Sequence, residues 1–275
     1  MSLSPPFPLE GDAPVKRDFR IFLYAAIGAL LTVALMCGCA GQALKRDAIP
    51  PEQTLLNLSR AVAEDERMTA AAHLDIMTPQ GHYPARAAII LQKPSCLRLE
   101  LLPVIGTPDF ILTADAEALN IFIPSRGEFY KGLPSADNLA RFLPWRFTID
   151  DLVRILAGDT PALPESRIFS ARDAGETVDH LVMKATTGVF QVVPFDARGR
   201  LVSVVRYGAD GKPVYSIDYE EYKPSARLAS RISIRLSDQT LALSVTYATF
   251  RIEKAADLSV FRLAPPAGIR IVDLD

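Results

Sequence analysis

The residue types that do most enzymatic chemistry are present in this chain of 275 residues, but not at the spacings such chemistry needs. There is no HExxH for a catalytic zinc, no paired CxxC, no GxSxG nucleophile turn and no phosphate-cradling glycine loop. Gly208-Ala209-Asp210-Gly211-Lys212 contains a Gly-Lys pair, but Pro213 follows where a phosphate loop needs Ser or Thr. It also joins two strand-like segments, so it reads as a hairpin turn. The three histidines, His73, His82 and His180, fall far apart on expected strands and turns, without ligand spacing for a metal. Asp150-Asp151 opens an expected helix, where the backbone dipole favours negative charge. Glu220-Glu221 lies in an alternating segment that turns its carboxylates to opposite faces, a poor acid–base pair. These residues predict no enzyme, no cofactor and no metal site.

Three cysteines remain. Cys96 sits in a strand-like segment and reads as a small buried hydrophobe. Cys37 and Cys39 close an uncharged run, and their context is different. Lys16, Arg17 and Arg20 precede Ile21 to Met36, and the run ends in Cys37-Gly38-Cys39-Ala40-Gly41. A basic start, an apolar core and small residues at a cut site are the parts of a secretory signal. The apolar run is short for a membrane span, which needs about 20 residues.

Composition agrees with a folded domain that needs a local anchor. Hydrophobic residues make up 49% and charged residues 23%, which is globular rather than disordered. Thirty basic residues against 32 acidic ones give a net charge of −2, so neither nucleic-acid binding nor general attraction to an anionic membrane is expected. Leu35-Met36-Cys37-Gly38-Cys39 resembles a lipobox, in which a small residue precedes a cysteine that receives diacylglycerol and becomes the new N-terminus. That resemblance implies a signal peptide over 1–38, lipid on Cys39 and a lipidated N-terminus and tether over 39–51. Several acyl chains together hold a protein stably, where one holds it marginally. With Cys37 removed and Cys39 acylated, Cys96 has no partner for an internal disulfide. Ala40 stands where an aspartate commonly retains such proteins at the inner membrane. The resemblance therefore implies the outer membrane, periplasmic face.

The elements follow from periodicity. Pro50 and Pro51 start a helix with Leu55, Leu58 and Val62 at helical spacing, ending in Glu64 to Arg67. Period-two alternation then runs through Leu74 and Ile76, through Ala87, Ile89 and Leu91, and through Leu97, Leu99 and Leu101. Phe110 to Thr113, Leu119 to Ile123 and Glu128 to Tyr130 follow as strands. Two short helices are expected, Ser135 to Phe142 and Ile149 to Ala157, the second capped by Thr148 and stopped by Gly158. Everything after Pro164 reads as strand and turn, up to Leu241 to Ile252. The short connections imply antiparallel neighbours. One mainly β, α+β domain over 52–275 is expected, a strongly curved or nearly closed sheet of about ten to twelve strands with a few short helices.

The order of these segments resembles the LolA/LolB lipoprotein-localisation superfamily, in its LolB-like lipoprotein branch. The likeness rests on Leu99-Glu100-Leu101-Leu102-Pro103-Val104-Ile105-Gly106-Thr107, then Phe110 to Asp115, Leu119 to Pro124 and Glu128-Phe129-Tyr130-Lys131-Gly132. The helices near Asn138-Leu139 and Asp151 to Gly158, and Ile217 to Tyr222, extend it. What it implies is an antiparallel half-barrel with a helical lid over an apolar cavity that takes lipoprotein acyl chains or other lipid. On that expectation Leu99, Leu101, Phe110, Leu112 and Ile121 line the cavity. Val104 and Ile105 form a membrane-contact loop, and a periplasmic carrier protein is an expected partner. An envelope assembly or sensor subunit, binding a protein partner with no lipid cargo, is the alternative.

Overall fold

Alternation of apolar and polar residues extends strands, and it marks most of the fourteen that the described residues form in one sheet. The structure, a computed structural model, describes residues 50–275 except 59, 144–146, 172–178 and 256. The signal segment, Cys39 and all but the end of the tether lie outside the described residues, as does Trp145. The first half contributes β1 (Glu66–Thr78), β2 (Gly81–Gln92), β3 (Cys96–Leu102), β4 (Phe110–Ala114), β5 (Leu119–Ile123) and β6 (Glu128–Gly132). The second contributes β7 (Ser166–Ala171), β8 (Asp179–Ala185), β9 (Phe190–Phe195), β10 (Ser203–Tyr207), β11 (Pro213–Glu220), β12 (Arg231–Leu236), β13 (Ala242–Lys254) and β14 (Arg270–Asp273). The α-helices among the described residues are α1 (Pro51–Leu58), α2 (Ala136–Ala140) and α3 (Ile149–Leu156). None of the described helices is long and apolar enough to cross a membrane.

The sheet is open and curved, in the order β14-β6-β5-β4-β3-β2-β1-β13-β12-β11-β10-β9-β8-β7. The chain starts at its centre, with β1 between β2 and β13, and steps outward by hairpins to β6. It then crosses through α2 and α3 to the opposite edge at β7 and steps back to β13. This crossing carries α3 over the concave face. Every pairing is antiparallel except β14 with β6, which is parallel.

The expected architecture holds, with corrections in detail. There are fourteen strands rather than ten to twelve, because the C-terminal β14 carries no alternating burial and its partner lies about 140 residues away. The first helix ends at Leu58 instead of continuing toward Arg67. The Glu66 carboxylate accepts the Ala63 N–H at 2.7 Å, closing a turn from which β1 begins, while Val62 is buried all the same. Thr148 caps α3 by accepting the Asp151 N–H at 3.1 Å. Gly158 ends that stretch at φ +74°, and a Cβ there would lie 2.7 Å from Leu228 Cδ1.

Candidate functional site

Strand alternation sends one set of side chains to the concave face, where they form cross-strand rows. Met68, Leu91, Leu97, Ala114 and Leu119 make the innermost row and are buried throughout. Ala70, Ile89, Leu99, Leu112 and Ile121 make the next, and Ala72, Ala87, Leu101 and Phe110 the third. Burial falls along this series. Leu112 and Ile121 are fully buried, whereas Leu99, Leu101 and Phe110 are half-buried against the core. Beyond them Ile76 is half-buried and its cross-strand partner Tyr83 is 51% exposed. The concave face is therefore sealed at one end and opens at the other.

α3 makes the seal. Five of its eight residues are buried, Ile149, Leu152, Val153, Ile155 and Leu156. Two tyrosines of the concave face hold its C-terminal end. Tyr247 donates its hydroxyl to the Leu156 carbonyl and Tyr219 donates to the Asp159 carbonyl, each at 2.7 Å. Burial pushes both phenols well above the usual tyrosine range, so both are neutral donors. Asp159 itself is buried, with Oδ2 3.5 Å from Lys93 Nζ and 3.3 Å from an Arg154 guanidinium nitrogen, and Oδ1 accepting the Thr160 N–H at 2.6 Å. Just beyond, the fully buried Gln191 donates to the Pro161 carbonyl at 3.2 Å. Arg206 spans the same region, donating to Gln191 Oε1 and to the Ala162 carbonyl.

The open end carries the hairpin turns β1–β2, β3–β4 and β12–β13, since these strands are antiparallel and consecutive. The β3–β4 loop is closed at its base by Asp109 N–H donating to the Leu101 carbonyl at 2.9 Å. Arg86 donates to the Pro103 carbonyl from β2. At the apex Val104 and Ile105 are 88% and 90% exposed. Gly106 follows at φ +112°, a backbone that a side chain rarely adopts. The β1–β2 hairpin adds Met77, also 51% exposed, which lies across from His82 on the face opposite Tyr83.

The five residues assigned to a cavity by sequence therefore share one concave face, but they do not line one open space. Leu112 and Ile121 belong to solid core, while Leu99, Leu101 and Phe110 border the opening. Cys96 is buried at the start of β3, where burial pushes its thiol up and keeps it a poor nucleophile.

A second feature escaped the sequence reading. A groove of about 860 Å³ lies between the β1–β2 hairpin and the β3–β4 loop, and both His73 and His82 line it. The hairpin register sets His73 opposite Arg86 and His82 opposite Met77, so Asp75, His82 and Arg86 share the face opposite the core. His82 contacts Asp75 directly. Counting back from the Gln80-Gly81 turn would have found this face. No cluster of three metal-ligating side chains occurs among the described residues.

Structural comparison gives the frame. A LolA superfamily protein from Nitrosomonas europaea superposes with a TM-score of 0.56 at 11% identity, covering 78% of this chain and 99% of that one. A DUF1329 family protein from Desulfovibrio piger gives 0.57 at 8% identity, covering 78% and 98%. The fold is that of the LolA superfamily. A domain provisionally ascribed to an outer membrane lipoprotein-sorting protein, from Vibrio parahaemolyticus, gives 0.52 at 15% identity, covering 76% and 94%. No protein-family model and no curated protein matches the sequence.

In this LolA-type sheet the two elements expected as a lid differ in role. α2 is short, with Ser135 accepting the Asn138 N–H at its start, and Leu139 buried. Asn138 donates to Asp275 Oδ1 at 2.9 Å, and the Leu133 N–H reaches Asp275 Oδ2 at the same distance. Gly132 permits this docking, because a Cβ there would lie 2.8 Å from that of Leu274. α2 is thus tied to the C-terminus at the sheet edge, whereas α3 occupies the concave face.

Proposed function

We propose that this protein is a lipid-anchored, non-enzymatic binding protein of the cell envelope that handles lipoprotein acyl chains or other lipid at a membrane surface. The carrying observation is the exposed Val104-Ile105 apex beside the half-buried apolar opening of Leu99, Leu101 and Phe110. Exposed apolar pairs at a loop tip, next to an apolar face, suit contact with lipid. The LolA-type fold supports the same reading, as does the lipobox-like Cys39. Cys39 as the acylated residue, residues 1–38 as the signal, and the outer membrane's periplasmic face as the location complete the proposal. A periplasmic carrier delivering cargo would be its partner.

Mass spectrometry of the full protein purified from native membranes tests it. The expected result is N-terminal acylation at Cys39 together with co-purifying acyl species. An unmodified N-terminus, or no bound lipid, counts against the anchor or the cargo respectively.

A second reading is favoured by one observation. α3 and the fully buried Leu112 and Ile121 fill much of the concave face, as in a scaffold that binds a protein and carries no lipid. A single stoichiometric protein partner recovered without lipid would support that alternative, an envelope assembly or sensor subunit.

A further inference from the structure

The groove beside the β3–β4 loop adjoins the apolar opening through Leu101, which borders both, but unlike the opening it carries charged side chains. Arg86 and Arg231 supply two cations, Asp75 and Asp109 two anions, and Ser244 and Thr246 two hydroxyls. Pro84, Leu102, Pro103 and Val104 add an apolar rim. The charged groups keep only surface partners: Arg231 pairs with Glu221 at 2.9 Å, Asp75 with His82, and Arg86 with the Pro103 carbonyl. Such exposed pairs are worth little and exchange readily for a better partner.

Position adds the second argument. The groove lies at the base of the loop that exposes Val104 and Ile105, and next to the hairpin that exposes Met77 and Tyr83. Interfacial elements bury their apolar side about 5–10 Å into the headgroup–acyl boundary. Tyrosine favours that same boundary. With the apex seated there, the groove lies at the level of the headgroups.

We propose that this groove binds the headgroup of a zwitterionic phospholipid of the phosphoethanolamine type. The phosphate faces Arg86 and Arg231, with the hydroxyls of Ser244 and Thr246 as further donors. The ammonium faces Asp75 and Asp109. Guanidinium groups match phosphate oxygens in charge and geometry. A choline headgroup has no N–H to give the two carboxylates, and phosphoglycerol has no cation, so both fit less well. The depth argument rests on the membrane-contact reading of the apex; the charge argument does not.

Acyl-free headgroups test the groove without engaging the apolar opening. The full protein in detergent micelles is titrated with glycerophosphoethanolamine, glycerophosphocholine and glycerophosphoglycerol, followed by saturation-transfer NMR. The expected order places glycerophosphoethanolamine first. Asp75→Asn with Asp109→Asn should weaken it by about tenfold, the loss of roughly one charge-assisted hydrogen bond. Equal binding of all three headgroups by the unaltered protein, or binding of none, overturns the proposal whatever the variants do. Phosphoethanolamine selectivity that persists in Ile105→Glu, a residue outside the groove's lining, supports the groove as a site separate from the apex. Selectivity lost in that variant, with the fold intact by circular dichroism, overturns that separation.

Discussion

Tyr247 shows how a single polar atom sets the position of an element. Its hydroxyl is buried and donates to the Leu156 carbonyl, one of the groups that the end of α3 leaves without a helical partner. Tyr247→Phe leaves that carbonyl unsatisfied, at a cost of about 1–3 kcal/mol. The measurement is the urea midpoint, and an unchanged midpoint would remove the role. The pH dependence has a definite sign. Burial raises the phenol pKa of Tyr219 and Tyr247 in the folded state above the ordinary value of about 10. Their contribution is therefore complete below about pH 10 and falls as the pH rises above it, because the unfolded phenols ionise first. Thermal melts across pH 9 to about 11 should show Tyr247→Phe losing less stability than the unaltered chain. Asp159 works differently. Its buried carboxylate lies near both Lys93 and Arg154, so removing a partner would strand a charge rather than merely lose an attraction.

At the scale of elements, α3 departs most from what its sequence suggests. Ile149, Leu152, Val153 and Leu156 form the single apolar face that periodicity predicts, and the resemblance implies a lid. In the structure Ile155 is fully buried as well, because the curved sheet and its neighbouring loops enclose the helix from more than one side. A surface lid would tolerate loss of Ile155. Here Ile155→Ala should cost about 2–5 kcal/mol, as expected for a large residue removed from packed core. Denaturant unfolding checks this, and a cost within about 0.5 kcal/mol, typical of surface sites, would return α3 to the status of a lid. The C-terminal segment offers the converse. A 3₁₀ turn at Leu258–Phe261 crosses the face opposite the core, where Phe261 is buried and Arg67 lies over its ring at 5.3 Å. Arg98 on β3 donates to the Val260 carbonyl at 3.1 Å. Little in the local pattern of these residues announces a strap and a parallel strand.

For the whole molecule, strand order decides which exposed apolar side chains gather at one end. β1, β2, β3, β4, β12 and β13 deliver their hairpins to the same end, which gathers Met77, Tyr83, Val104 and Ile105 from segments far apart in sequence. Changing Val104 and Ile105 together to Glu should leave the fold near its original stability, since both are almost fully exposed. Lipid delivery to vesicles should fall strongly, because placing charge in the acyl region is unfavourable. Delivery that continues unchanged would remove the membrane role from the loop and favour the protein-binding alternative.

Much of the architecture was legible because it depends on local periodicity. Alternation placed β1 to β5, and Thr148 and Gly158 bounded α3, whereas Leu99, Leu101, Phe110, Leu112 and Ile121 were expected to line a cavity on the resemblance alone. The turn residues also implied antiparallel neighbours, and with them a curved sheet. What periodicity cannot carry is the distance between residues remote in the chain. Whether an inward side chain borders solvent or solid core depends on where α3 comes to rest, so Leu112 and Leu101 look alike in sequence and differ in burial. The meeting of His73, Asp75, Arg86, Asp109 and Arg231 in one groove depends likewise on register across β12, β13, β1, β2 and β3. Each residue there is ordinary by itself, and only tertiary pairing brings them to one groove.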